Sequence, residues 1–372
     1  MDIVTSFLQV LKGHWMEVLT SSFSGPVSGP FHAGTVFRVS PNELSFSSRR
    51  DGQQRGINIV EWLEMNSFDL LGEMAFGESF GCIASEKEHF WIGLILSHLR
   101  EIVLVDNLRR FTLIASAGSW LLPSLAMRVR AKHTRFSREK VQRRLESDTG
   151  RQDFFTDIAE KVKSGEIPLE EMTAHASTLT IAGAETTATS LSAAIYYLLK
   201  TPTALERLTA EIRTRYQSYG EINIASAMQL PYLQAVINET TRVHPSGAHG
   251  HPRVSPGIQV DGKWVPQGVS AGLSGGQTET YTSTWSVSHS AKYFANPDEF
   301  RPERWIEPRL HWRQRGQPAM SLVLAKILYT YELELVDKDL DWEAESRHWI
   351  MWWKAPSTPQ EYGDRGWTED VE

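Results

Sequence analysis

The sequence predicts a mainly α fold with a small β region, and three observations carry that reading. Apolar residues from Ile57 to Phe76 recur near helical spacing, with Ile59, Trp62, Leu63, Phe68, Leu71 and Met74 forming the pattern. From about Leu169 to Lys200 the chain is near-uniformly apolar and small, the composition of a helix buried on most sides. Strand patterns are confined to two short stretches, Thr35 to Phe46 and Ile258 to Gly268. With 372 residues and an apolar fraction of 41%, the chain is long enough and apolar enough for a large packed core.

Taken in order, residues 1–34 read as an irregular N-terminal segment. Asp2, Lys12, His14 and Glu17 interrupt its apolar residues, so it lacks the ~20 apolar residues of a membrane-spanning helix. A charged leader and a small-residue cleavage site are also missing, which argues against a signal peptide. TVFRVSPNELSF then reads as a strand and a turn at Pro41-Asn42. The helix ending at Phe76 runs into FGESFGC, which holds the chain's one cysteine, Cys82. A basic run follows, with Arg128, Arg130, Lys132, Arg135, Arg138, Lys140, Arg143 and Arg144 expected on a solvated helix face.

After the long helix, Thr201-Pro202 supplies an N-cap and a proline at the first helical position. A further helix from about Pro231 to Val243 is stopped by His244-Pro245. IQVDGKWVPQG reads as a hairpin about Asp261-Gly262. Residues 269–285 are polar and rich in Gly, Ser and Thr, and read as an insertion. Residues 357–372 are charged, without apolar period, and are expected to be disordered.

The net charge of -7 argues against a nucleic-acid partner, because phosphate contacts dominate that affinity. A single cysteine excludes an intrachain disulfide and fits a reducing compartment.

Three motifs carry the chemistry. In AGAETT, Ala182 and Gly183 are small enough for a helix backbone to approach a flat cofactor, and Glu185 with Thr186 forms an acid and alcohol pair. The other reading is an Ala/Thr-rich core helix whose hydroxyls bond back to the preceding turn. In ETTR, Glu239 and Arg242 are three residues apart and share a helix face. FRPERW places Arg304 downstream of that pair. His244, His249 and His251 lie in a Pro/Gly loop at a spacing that matches no standard zinc site, and read as loop histidines.

In this order the three motifs resemble those of the cytochrome P-450 family, the haem-thiolate monooxygenases, and the wording PNELSF and FGESFGC is similar to fungal secondary-metabolism members. The resemblance covers about Thr35 to Pro356 and implies a truncated form of that fold over residues 35–356. It implies that Glu185 and Thr186 deliver protons to iron-bound dioxygen, and that Ala182, Gly183 and Arg253 line the cofactor, Arg253 at a propionate. Glu239, Arg242 and Arg304 would form the network that holds the thiolate loop.

The family's fold uses haem b, electrons from NADPH through a reductase, and a small hydrophobic organic substrate, commonly at the cytosolic face of the endoplasmic reticulum; lacking an anchor, this chain is expected to be soluble and cytoplasmic. Two features depart from the pattern. The helix with a propionate-binding Trp/Arg pair is missing after Phe46, and no cysteine follows Trp305, so a thiolate loop is lost at about residues 309–319. Cys82 reads as a buried, inert thiol. Two alternatives stay open: a monooxygenase whose deduced chain lost its cysteine loop, inactive as written, or a degenerate relative that is inert or acts only by binding. Glu211, on the helix before the ETTR segment, is expected to matter to neither fold nor site.

Overall fold

The computed structural model describes residues 37–40, 43–45, 58–93, 95, 123–146, 154–248, 255–260, 262–267, 283–306, 317–335, 337–348 and 352–354. Expectations for residues 1–34, for the segment after Phe46, for His249, His251 and Arg253, and for the tail lie outside these residues. The architecture is mainly helical, with three two-stranded antiparallel ladders among the described residues.

β1 (Phe37–Ser40) pairs with β2 (Glu43–Ser45), so the single strand expected there is a hairpin. α1 (Ile59–Phe76) stops at Gly77, whose φ of 71° suits a left-handed C-cap and whose N–H bonds to the Glu73 carbonyl. The chain then folds back. A Cβ on Gly72 would lie 2.7 Å from the Glu78 carbonyl oxygen and from the Phe80 ring, so only glycine permits this approach. Asp69, buried within α1, accepts from the backbone N–H groups of Cys82 and Ile83 at 3.0 and 2.9 Å and starts the short α2 (Cys82–Ser85).

α3 (Pro123–Glu146) carries the basic run. Its Arg135, Arg138 and Arg143 are exposed, as a solvated face requires, but Lys140 and Arg144 are buried. Lys140 donates to Glu78 and sits 4.6 Å over the Phe80 ring, so part of the run pins the fold-back after α1.

α4 (Thr156–Lys163) leads to α5 (Leu169–Lys200), a helix of about 48 Å at 1.5 Å per residue. Its bounds match the small, apolar run. α5 passes through both hydrophobic clusters. Near its N-terminal half Met65, Phe68, Phe76, Trp91, Phe155 and Met172 are buried together. Near its C-terminal half it meets α6 (Pro202–Arg215), α8 (Pro231–Val243) and α10 (Pro318–Thr330) through Leu191, Leu198, Leu208, Val236, Leu324 and Leu328.

α6 starts at Pro202 as expected, but the Thr201 side chain makes no cap bond; its carbonyl accepts from Ala204 and Leu205 at 3.0 and 3.1 Å. α7 (Ile224–Ala227) is closed by a capping box from Asn223. β3 (Ile258–Val260) and β4 (Lys263–Val265) form the predicted hairpin, with Val260 opposite Lys263 and Gly262 at φ 74°. α9 (Thr284–Ser288) begins inside the segment read as an insertion: Ser283 caps it by accepting from Ser286, and the Trp285 N–H bonds to Ala248. Thr284 and Trp285, the last residues of that segment, are therefore helical. A 3-10 turn (Pro302–Trp305), then α10, α11 (Trp342–Glu345), β5 (Arg347–His348) and β6 (Trp352–Trp353) complete the order. No helix among the described residues is long and apolar enough to cross a membrane.

Candidate active site

α8 places Glu239 and Arg242 one turn apart on its buried face, and both side chains are enclosed. The Arg242 guanidinium donates through Nε and Nη2 to the two Glu239 oxygens, each at 2.9 Å, the fork geometry that suits arginine to a carboxylate. Arg304 joins from the 3-10 turn, its Nε 2.9 Å from Glu239 Oε1. The three charges that the sequence brought into question therefore meet. Glu239 also accepts from the Arg301 backbone N–H at 2.8 Å and from the Trp305 indole N–H at 2.8 Å. The tryptophan's part was not read from the sequence, although an indole is the one large aromatic ring that donates only.

One carboxylate faces two guanidinium groups here, and backbone carbonyls take up the remaining donors. Arg242 donates to Ser288, Pro297 and Glu299 at 2.8, 2.6 and 3.1 Å, and Arg304 to Ala295, Asn296 and Glu299 at 3.0, 3.3 and 3.3 Å. The irregular segment 288–299 is thus held by side chains where no regular ladder could hold it.

In the middle of α5 the residues of AGAETT divide between faces. Ala174, Thr178 and Ala182 are exposed and Thr186 is half-buried, a stripe at four-residue spacing that leaves one open face. The Thr186 hydroxyl donates to the Ala182 carbonyl at 2.7 Å and Thr187 to that of Gly183 at 2.9 Å, the back-bonding arrangement. Glu185, three residues after Ala182, lies beside this stripe but is buried. Its carboxylate contacts the Lys354 ammonium and accepts from Thr189 at 3.4 Å. Glu185 and Thr186 are neighbours in sequence and have separate partners in space. Gly183 meets α1: a Cβ there would lie 3.1 Å from Leu71 Cδ1, so its smallness serves helix packing. Of the two small residues only Ala182 stands on the open face.

Lys354 also reaches Glu64 of α1 at 2.8 Å. Neither Lys354 nor Glu64 carried a local signal in the sequence; Lys354 and Glu185 are 169 residues apart.

Cys82 is 1% exposed within the aromatic cluster, and burial, with Asp69 beside it, pushes its thiol up to about 12. A neutral, enclosed thiol of this kind does not fit as the thiolate ligand of a haem iron. His244 follows the end of α8, as a loop histidine would, but it is fully buried against Trp352 with ring centroids 4.3 Å apart; among the described residues neither ring nitrogen has a hydrogen-bond partner, and burial pushes its pKa down to about 3, keeping it neutral. No group of three or more His, Cys, Asp or Glu suited to a metal occurs among the described residues.

A family model described as Cytochrome P450 matches residues 44–317, more than half of the chain. The chain is 44% identical over 323 residues to the cytochrome P450 monooxygenase ORF9 of Penicillium roqueforti (strain FM164), covering 82% of this chain and 62% of that protein. It is 42% identical over 317 residues to the cytochrome P450 monooxygenase BOT4 of Botryotinia fuckeliana, covering 81% and 58%. To the trichothecene C-15 hydroxylase of Fusarium sporotrichioides it is 30% identical over 347 residues, covering 86% and 69%. The chain thus spans 62% and 58% of the lengths of the first two relatives. Among solved structures, a zebra fish cytochrome P450 with abiraterone superposes with a TM-score of 0.61 at 17% identity, covering 81% of this chain and 70% of the other, a likeness of fold.

Proposed function

We propose, from the premise that this chain belongs to the cytochrome P450 family, that it derives from a haem-dependent monooxygenase oxidising a small hydrophobic organic molecule in fungal secondary metabolism. The observation that carries the reading is the enclosed Glu239, Arg242 and Arg304 network, which pins segment 288–299 with the charges of the family's motifs. Electrons from NADPH through a reductase, and attachment at the endoplasmic reticulum, belong to the same proposal.

In this reading the haem supplies oxidation at a carbon–hydrogen bond. The chain's own residues supply a frame: Ala182 keeps the open face of α5 flat, the network fixes the segment leading to Trp305, and Glu185 is held by Lys354. The thiolate is the part this sequence does not supply, since no cysteine follows Trp305. That single observation favours a second reading, a non-catalytic relative that acts by binding.

The two readings separate in one experiment. The purified chain is incubated with haem, reduced and exposed to carbon monoxide, beside a version in which residues 307–316 are replaced by a family-type loop containing cysteine. The expected result is no thiolate-type Soret band from the chain itself and a clear band from the version with the loop. A thiolate band from the unaltered chain would refute the account of Cys82, and a folded loop version without the band would refute the oxygenase reading.

A further inference from the structure

Beside the stripe of Ala182 and Thr186 on α5, where Glu185 and Thr189 follow Ala182 by three and seven residues, three ionisable side chains from three separate parts of the chain converge. Lys354 follows β6, Glu64 lies on α1 and Glu185 on α5. Their side chains are 1%, 12% and 7% exposed. The ammonium donates to both carboxylates and, at 3.3 Å, to the Thr189 hydroxyl. With every group ionised, the cluster would bury two negative charges against one positive charge. Burying an unbalanced charge is far costlier than protonating a carboxyl. The cluster therefore calls for one proton beyond the three that the ammonium carries.

The geometry says which carboxyl takes it. Glu185 is supported by two donors, Lys354 and Thr189, and hydrogen bonds to a carboxylate favour its ionised form. Among the described residues Glu64 has Lys354 alone at hydrogen-bond distance, and it is the most exposed of the three, so it can exchange a proton with water. We propose that Glu64, Lys354 and Glu185 form a buried proton-holding site in which Lys354 fixes the Glu185 carboxylate beside α5 and Glu64 takes up and returns the proton.

The electrostatics agree. Burial raises Glu64 to about 7; Lys354 opposes this, and Glu185 and Glu88 add to it. Burial works against the Lys354 ammonium, but Glu185 and Glu64 outweigh it and push its pKa up. His244, which also feels Lys354, is held neutral and adds no charge. Because the folded pKa of Glu64 lies above its ordinary 4.5, the folded chain binds more protons than the unfolded chain between about 4.5 and about 7. The stability from this group is fully present below about pH 4.5 and is lost as pH rises through about 7.

This assignment goes beyond the oxygenase reading and needs no haem, so its test uses the full chain without cofactor. Infrared difference spectra of the folded chain are recorded across the window from about pH 4.5 to about pH 7, with urea unfolding at each pH. Besides the ordinary carboxyls that ionise in the lower part of the window, the chain should show the C=O stretch of a protonated carboxyl that falls to half its height near pH 7. Glu64→Gln should lack that band, and its stability relative to the parent should rise as pH rises through the window. Glu185→Gln should lack it too, since one carboxylate then balances one ammonium. Absence of the band from the parent below neutral pH, or its persistence in Glu64→Gln, would overturn the proposal. So would a parent-to-variant stability difference that does not change with pH.

Discussion

Replacing Glu239 by Gln tests the network with the least change of shape. The substitution keeps a side chain of the same size but removes the charge that two guanidinium groups share, and converts one oxygen from an acceptor into a donor group. Five hydrogen bonds are at risk: two from Arg242 and one each from Arg304, the Arg301 backbone and the Trp305 indole. Glu239 is 0% exposed, so water cannot replace them. Breaking one partner of an enclosed pair costs about 3–5 kcal/mol, because the remaining charges stay desolvated. That is a large part of the ~5–15 kcal/mol by which domains are stable. At roughly 2 °C per kcal/mol for a chain of this size, the melting temperature should fall by about 6–10 °C. Differential scanning calorimetry reads this directly. Glu334→Ala serves as the comparison, since its pair with Lys338 leaves both side chains 78% exposed and should contribute nothing measurable. A fall of no more than about 1 °C for Glu239→Gln, the size expected of a surface change, would refute the claim that the network is the keystone of this region.

Two further outcomes follow from the packing. Glu211, expected to be neutral on its helix, instead accepts from the N–H groups of Tyr232 and Leu233, both at 2.9 Å, and caps α8 from a neighbouring helix. Glu211→Ala should therefore cost about 1 kcal/mol, within the range of lost N-caps, and should speed hydrogen exchange at those two amides; unchanged exchange would remove the capping role. Gly72→Ala should destabilise by about 1–3 kcal/mol, as overpacking does, because its methyl meets a backbone oxygen that cannot rotate away. Measured by urea unfolding, a neutral or stabilising result would show that the fold-back after α1 is looser than described.

Much of the fold was legible because its signals were local. The bounds of α5 and α8 coincide with the expected runs, as composition marks the first and Pro231 with His244-Pro245 marks the second. The Glu239, Arg242 and Arg304 meeting was legible through motif order, with the partners 65 residues apart in the case of Arg304 and Glu239. What sequence reading missed depends on tertiary direction. Glu185 meets Lys354, a partner 169 residues away that nothing local announces. The basic run on α3 looked solvated throughout because nothing local shows that Phe80 and Glu78 would cover Lys140. The burial of His244 was missed because the Trp352 that covers it comes more than a hundred residues later.

The anchoring of both flanks of residues 307–316 has a practical consequence. Arg242 and Arg304 tie down every carbonyl they reach before Trp305, and Ile306 closes the turn by bonding to Glu303. On the other flank α10 begins at Pro318 and packs Met320, Leu324 and Leu328 into the core beside α8. Among the described residues, both ends of that interval are held on the same scaffold. Loops of different length and chemistry spliced into the interval should leave these described contacts in place. That makes this chain a receiver on which candidate ligand loops can be compared one against another.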